Sequence, residues 1–114
     1  MKAPITTHVL DLASGDPAAG VAVVLEMADG PSWQELGRGK TDADGRIQSL
    51  LEASHRLRGG TYRLTFASGD YHRAQGREAF HPRIVVEFEI EDTQRHYHVP
   101  VLLSPFGYST YRGS

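Results

Sequence analysis

Two histidines two residues apart in "RHYHVPVLL", and a third in "THVLD", are the residues of this chain best suited to moving protons. On an extended strand His96 and His98 project to one side. Tyr97, Val99, Val101 and Leu103 take the other side and read as a core face. The histidine side therefore need not be buried for stability. Three uses stay open on spacing alone. The pair can be solvated or hydrogen-bonded surface groups. It can be half of a metal site with His8 as third ligand, although zinc wants three or four ligands at fixed distances and no acidic residue is obviously placed to finish the set. Or it can do acid–base work, for which an imidazole titrating near neutrality is suited. His8 shares its side of a strand with Thr6 and Leu10, a setting that also fits a satisfied, partly buried histidine. Arg46 follows "TDADG", an Asp- and Gly-rich turn that can present the next side chain at a strand start. By itself it is a turn-flanking surface residue.

The stretch "YSTYRGS" (residues 108–114) adds two tyrosines and an arginine where a frayed, disposable end is the usual expectation. Alternation puts Tyr108, Thr110, Arg112 and Ser114 on one face and Ser109, Tyr111 and Gly113 on the other. Gly113 leaves room for a close backbone approach to a ligand. Ser114 would bring a hydroxyl, an N–H and a carboxylate to one point, with Arg112 or a neighbouring subunit's Arg46 as counter-charge.

Positioning these groups falls to a series of short apolar alternations, broken by turn residues about every ten positions. Strands are expected over residues 5–12, 21–27, from Trp33 onward, 46–50, 61–67, 84–91, 96–103 and 108–113. The clearest alternates Ile84, Val86, Phe88 and Ile90 with Val85, Glu87, Glu89 and Glu91. The segment "SGDYHRAQGREAF" lacks a two-residue period and predicts one short helix capped by Ser68 or Asp70. Eight short strands are too many for one open sheet, so the expectation is an all-β sandwich of two four-stranded sheets. Pro100 cannot donate to a ladder and predicts an edge position or a bulge.

The 114 residues make one domain, residues 1–114, large enough to hold a core without staples. There is no cysteine, which excludes disulfides, thiolate metal sites and a cysteine nucleophile, and suits a reducing compartment. A net charge of −2 gives no electrostatic reason to expect nucleic acid or an anionic membrane as partner. The beginning of the chain shows no apolar signal-peptide core, and the longest apolar run, residues 21–25, is far below membrane-spanning length. A cytoplasmic protein is expected.

Together, "THVLD", "TDADGR", "HYHVPVLLSPFGYSTY" and "YRGS" resemble the 5-hydroxyisourate hydrolases, the transthyretin-related enzymes of purine catabolism. The likeness runs from about residue 5 to residue 114, with residues 52–83 matched by length and by the expected helix. The tetrapeptide "YRGS" is its most specific part. Transthyretin shares the fold but differs at these positions.

The resemblance implies a transthyretin-like sandwich and a homotetramer with active sites at the dimer–dimer interface. It implies that His8, Arg46, His98 and Ser114 are catalytic and that His8, Arg46, Tyr111, Arg112 and Gly113 meet the substrate. No metal or organic cofactor is implied. The reaction would be ring-opening hydrolysis of 5-hydroxyisourate to 2-oxo-4-hydroxy-4-carboxy-5-ureidoimidazoline. The residues suit that chemistry. Two imidazoles can orient and deprotonate water, and Arg46 offers a planar fork of donors to carbonyl or enolate oxygens. Tyr111 can close the pocket, and Arg112 can hold the tail. The edge strands over residues 84–91 and 108–113 would pair with sister subunits. Three rivals differ in kind: a carrier of small aromatic ligands, a zinc hydrolase using His96 and His98, and a purely structural interaction module. A carrier of apolar ligands has no use for His8, Arg46 and His98 together.

Overall fold

The computed structural model describes residues 3–114. Its elements run β1 (Ile5–Asp11), β2 (Asp16–Pro17), β3 (Ala22–Asp29), β4 (Ser32–Lys40), β5 (Arg46–Ile47), β6 (Gly60–Phe66), α1 (Ser68–Ala74), β7 (Ile84–Ile90), β8 (Tyr97–Ser104) and β9 (Gly107–Thr110). They form two sheets. One has the order β4-β3-β6-β7, all antiparallel. The other has the order β2-β1-β8-β9, with β5 pairing on β1 as well. The short β2 and β5 share one side of β1, at Leu10–Asp11 and Thr7–His8 respectively. Strands β1 and β8 run parallel, from Ile5 opposite Tyr97 to Asp11 opposite Leu103.

Alternation decides which residues enter the core. In β6, Tyr62, Leu64 and Phe66 are buried, and in β1 Ile5 and Val9 are fully so. They meet Val23, Leu25, Ile84, Val101 and Leu103 in a single cluster. Each such side chain contributes about 1.5–3 kcal/mol when fully buried, so the two inner faces hold the sandwich together. The outer face of β1 and β8 contributes little to that core and is free to carry polar groups.

Several local expectations need correction. Two strands are shorter than their patterns suggest, β5 ending at Ile47 and β9 at Thr110, and β2 arises within what reads as a turn. Helix α1 begins after Ala67, which has no capping side chain, so neither Ser68 nor Asp70 is the cap. Ser68 is instead buried, its hydroxyl without a hydrogen-bond partner among the described residues. Asp70 sits in the first turn and pairs with Arg73 at 2.5 Å. Pro100 is neither at an edge nor in a bulge. It lies in β8 between β1 and β9, opposite His8. The sheet tolerates it because the β8–β9 ladder, regular from Ser104 to Val101, stops there and resumes in the same register at the His98–Gly113 bridge. The Thr110 hydroxyl donates to the Pro100 carbonyl at 2.8 Å and covers the gap. Among the described residues no helix is long and apolar enough to cross a membrane.

Candidate functional site

Three strands deliver polar side chains to one outer face. Thr6 lies opposite His98 across the β1–β8 ladder, and His8 lies opposite Arg46 across β1–β5. Arg46 is held at its strand start by the turn that the sequence suggests. The Asp42 carboxylate accepts the N–H groups of Asp44 and Arg46 at 2.9 and 3.0 Å. Gly45 takes φ +75°, and its carbonyl accepts the Val9 N–H at 2.7 Å. A Cβ on Gly45 would come 2.3 Å from the Val9 carbonyl oxygen, so a larger residue would push Arg46 away from β1.

A cleft of about 520 Å³ opens on this face, lined by Thr6, Arg46, Gln48, Ser49, His96, His98 and Ser114 among others. Within it the His96 and His98 rings stack with centroids 6.4 Å apart. Thr6 Oγ1 lies 2.8 Å from His98 Nδ1 and 3.1 Å from His96 Nε2. His96 Nδ1 lies 2.7 Å from the Ala3 carbonyl oxygen. Burial lowers the His98 pKa below the ordinary imidazole value, and the positive charge that His96, Arg46 and His8 can carry lowers it further. His98 is therefore neutral at neutral pH, the form a general base requires.

The tail of the chain divides between two places. Gly113 donates its N–H to the His98 carbonyl at 2.8 Å, and Ser114 reaches the cleft. Gly113 has no positive φ. What demands glycine there is contact, since a Cβ would lie 2.6 Å from His98 Cδ2 and 3.0 Å from Pro100 Cγ. The close approach is thus to the catalytic candidate's own ring. Arg112 turns away from the cleft and lays its guanidinium 4.5 Å above the Tyr97 ring. With the exposed Tyr111 it lines a second cavity of about 240 Å³, beside Val86, Phe88 and Val99. Alternation puts Ser114 on the Arg112 face, but Gly113 is the last residue held by the ladder, and beyond it the pattern no longer applies.

His8, Arg46, His98 and Ser114 thus share one neighbourhood, while Tyr111 and Arg112 stand on its flank. Thr6, Gln48 and Ser49 are cleft residues that the motifs do not single out; the one signal for Thr6 is that it shares a face with His8. Among the described residues no group of three or more His, Cys, Asp or Glu is placed to hold a metal ion.

A family model described as "HIUase/Transthyretin family" matches residues 5–113. A 5-hydroxyisourate hydrolase of Caulobacter vibrioides is 48% identical over 114 residues, covering 96% of this chain and 97% of its own. The structure of Klebsiella pneumoniae 5-hydroxyisourate hydrolase superposes with a TM-score of 0.84 at 39% identity, over 96% of this chain and 98% of that one. Sea bream transthyretin, crystallised with thyroxine, superposes with a TM-score of 0.90 at 33% identity, over 96% and 94%. The backbone is thus at least as close to a transthyretin in complex with thyroxine as to a 5-hydroxyisourate hydrolase. What tells the two apart must lie in side chains.

Proposed function

The chain belongs to the HIUase/transthyretin family, and from that premise we propose that it is a 5-hydroxyisourate hydrolase acting in urate degradation. The observation that carries this reading is the convergence of His98, Arg46 and Ser114 on one polar cleft, with His8 opposite Arg46. A carrier of apolar ligands would gain nothing from burying the charge of Arg46 and two imidazoles beside its ligand.

In this mechanism His98, neutral at working pH, takes a proton from a water held between it and His8. The resulting hydroxide adds to a ring carbonyl carbon. Arg46 faces the oxygen that becomes negative and stabilises it more in the transition state than in the ground state. Collapse of the tetrahedral centre breaks the ring C–N bond, and the departing nitrogen takes the proton back from His98. The product is 2-oxo-4-hydroxy-4-carboxy-5-ureidoimidazoline. No step calls on a metal or organic cofactor. Ser114 contacts the substrate and Gly113 packs against the His98 ring, while Tyr111 and Arg112 stand on the flank of the cleft.

The assembly we propose is a homotetramer in the cytoplasm, with sites at the dimer–dimer interface. Strands β7 and β9 lie at sheet edges and keep backbone groups for pairing with sister chains. The open cleft would be closed by a neighbouring copy. Adding the purified protein to freshly oxidised urate tests the activity: the ultraviolet absorbance of the intermediate should decay faster than its spontaneous rate. An unchanged decay rate overturns the reading. Removing residues 112–114 should reduce that acceleration severely while the sandwich still folds. Light scattering on both forms reports the assembly, and equal rates would take the tail out of the site.

A further inference from the structure

The hydrogen bonds around Thr6 fix more than the distances between its neighbours; they fix which nitrogen of His98 carries the proton. The reasoning starts at Ala3, whose carbonyl oxygen lies 2.7 Å from His96 Nδ1. A carbonyl has no proton to give, so a neutral His96 must carry its own on Nδ1. Its Nε2 is then a bare lone pair that can only accept. The Thr6 hydroxyl, 3.1 Å away, must donate its single proton there. Thr6 Oγ1 is left as an acceptor towards His98 Nδ1 at 2.8 Å, so that nitrogen must be the donor. Each bond sets the direction of the next. At the end of the series His98 Nε2 is unprotonated and has no hydrogen-bond partner among the described residues.

We propose that Thr6 and His96 are positioning residues that lock His98 in its Nδ1–H tautomer and thereby make Nε2 the basic atom of the cleft. The assignment of a catalytic purpose to this lock rests on the hydrolase reading above; the lock itself does not. A histidine's reactive nitrogen is set by the hydrogen bond its other nitrogen makes. Here that partner is a hydroxyl, which can donate as readily as it accepts, so Thr6 alone would leave the tautomer undecided. His96 and the Ala3 carbonyl remove the ambiguity by claiming the hydroxyl proton. The pairing also gives His96 a reason to lie two residues from His98 on the same face without itself touching the substrate.

Nitrogen-15 spectra of the histidine rings, recorded at a pH where they are neutral, test the lock in the wild-type protein. A protonated Nδ1 and a pyridine-like Nε2 on His98 are expected; the reverse assignment overturns the proposal whatever the protein hydrolyses. Thr6→Val keeps the shape and removes the hydroxyl. It should shift His98 towards a mixture of tautomers and lower kcat by about 10²-fold with KM little changed, short of the roughly 10⁴-fold cost of a wholly wrong tautomer in a catalytic triad. Thr6→Ser restores the hydroxyl and should recover both the spectrum and most of the rate. Unchanged His98 signals in Thr6→Val, or a Thr6→Ser protein as slow as Thr6→Val, would overturn the proposal. If the wild-type protein has the predicted spectrum but no hydrolase activity, the hydrolase reading fails while the lock stands.

Discussion

Strand β1 carries a cluster of ionisable groups at each end. Near its start, Thr6 looks outward into the cleft with His96, His98 and Arg46, and His8 lies opposite Arg46 on the same side of the strand. At its end, the Asp11 carboxylate points beneath α1 and is fully buried. It accepts the Tyr71 hydroxyl at 2.7 Å, Arg77 at 2.6 and 3.2 Å, and the Ala13 and Ser14 N–H groups. Burial alone would raise the Asp11 pKa; the bonds from Arg77, Tyr71 and the two N–H groups outweigh it and hold the carboxyl well below its usual range. Burial also pushes the Tyr71 hydroxyl up to about 12, helped by Asp11. Both clusters contain a histidine whose pKa burial depresses, His72 in one and His98 in the other. Both contain an arginine. They differ in what remains unpaired. Around Asp11 the carboxylate and the tyrosine hydroxyl are satisfied within the cluster, whereas in the cleft His98 Nε2 has no hydrogen-bond partner among the described residues. A perturbed pKa therefore does not by itself mark a catalytic group. An unmatched reactive atom on an accessible face is the better sign.

The sharpest way to break this contrast is to remove one member from each cluster. His98→Ala, Arg46→Ala and His8→Ala should each lower turnover by about 10²–10⁴-fold, the usual worth of an acid–base group, with stability near wild type. Steady-state rates and urea unfolding on the same samples decide it, and near-normal turnover in His98→Ala would remove the base assigned here. Asp11→Ala should do the opposite. It leaves Arg77 and the Tyr71 hydroxyl without their buried partner, at a cost of about 3–5 kcal/mol of stability. Turnover per folded molecule should stay within a few-fold of wild type. A stable but inactive Asp11→Ala protein would mean that the two clusters are one functional unit.

Acid should act on both ends, through different measurements. His98 must be neutral to accept a proton and its pKa is lowered, so turnover should hold at neutral pH. It should fall only below the ordinary imidazole value of 6.5. His72 is likewise depressed from 6.5, so its share of stability is complete above that pH and declines as pH falls through the lowered value. The Asp11 share persists to lower pH. It is complete above the unfolded value of 3.8 and is lost only as pH drops towards the carboxyl's much lower folded value. Catalysed rate and unfolding midpoint, each followed against pH, should trace these windows. A catalysed rate that stays flat from about pH 5 to 8 would rule out a histidine base. The smallest effect expected is that of His96→Ala. Without His96 the Thr6 hydroxyl has no fixed acceptor, so His98 should become a mixture of tautomers as in Thr6→Val, a loss well short of that in His98→Ala. A larger loss than in His98→Ala would reverse the roles of the pair.

How much of this is visible in the sequence depends on how local the cause is. The alternation in β7 and β8 is written in neighbouring residues, and so is the turn that presents Arg46. The strands and their inward faces can be read from it. The parallel pairing of β1 with β8 leaves no local trace, and it alone brings Thr6 to His98. Pro100 is misleading for the same reason. Its missing N–H counts only against the register of β9, and that register is set by residues elsewhere. Asp11 in "THVLD" resembles an ordinary strand end because its partners Tyr71 and Arg77 come from α1 and the segment after it. Of the site, His8, Arg46 and His98 are legible through their faces and through family motifs. Thr6 is not, since a threonine on a strand needs no explanation until its neighbours are known.

The β1–β8 ladder also has a kinetic consequence. Thr6 and His98 are 92 positions apart, and closing so large a loop costs chain entropy before any contact offsets it. The β3–β4 hairpin and the β6–β7 pair join strands much nearer in sequence and carry no such delay. The cleft is therefore a late product of folding, complete only after the opposite sheet is substantially formed. In a refolding experiment, turnover should return after the far-ultraviolet signal of the strands, and a variant that loosens β8 should lengthen that interval.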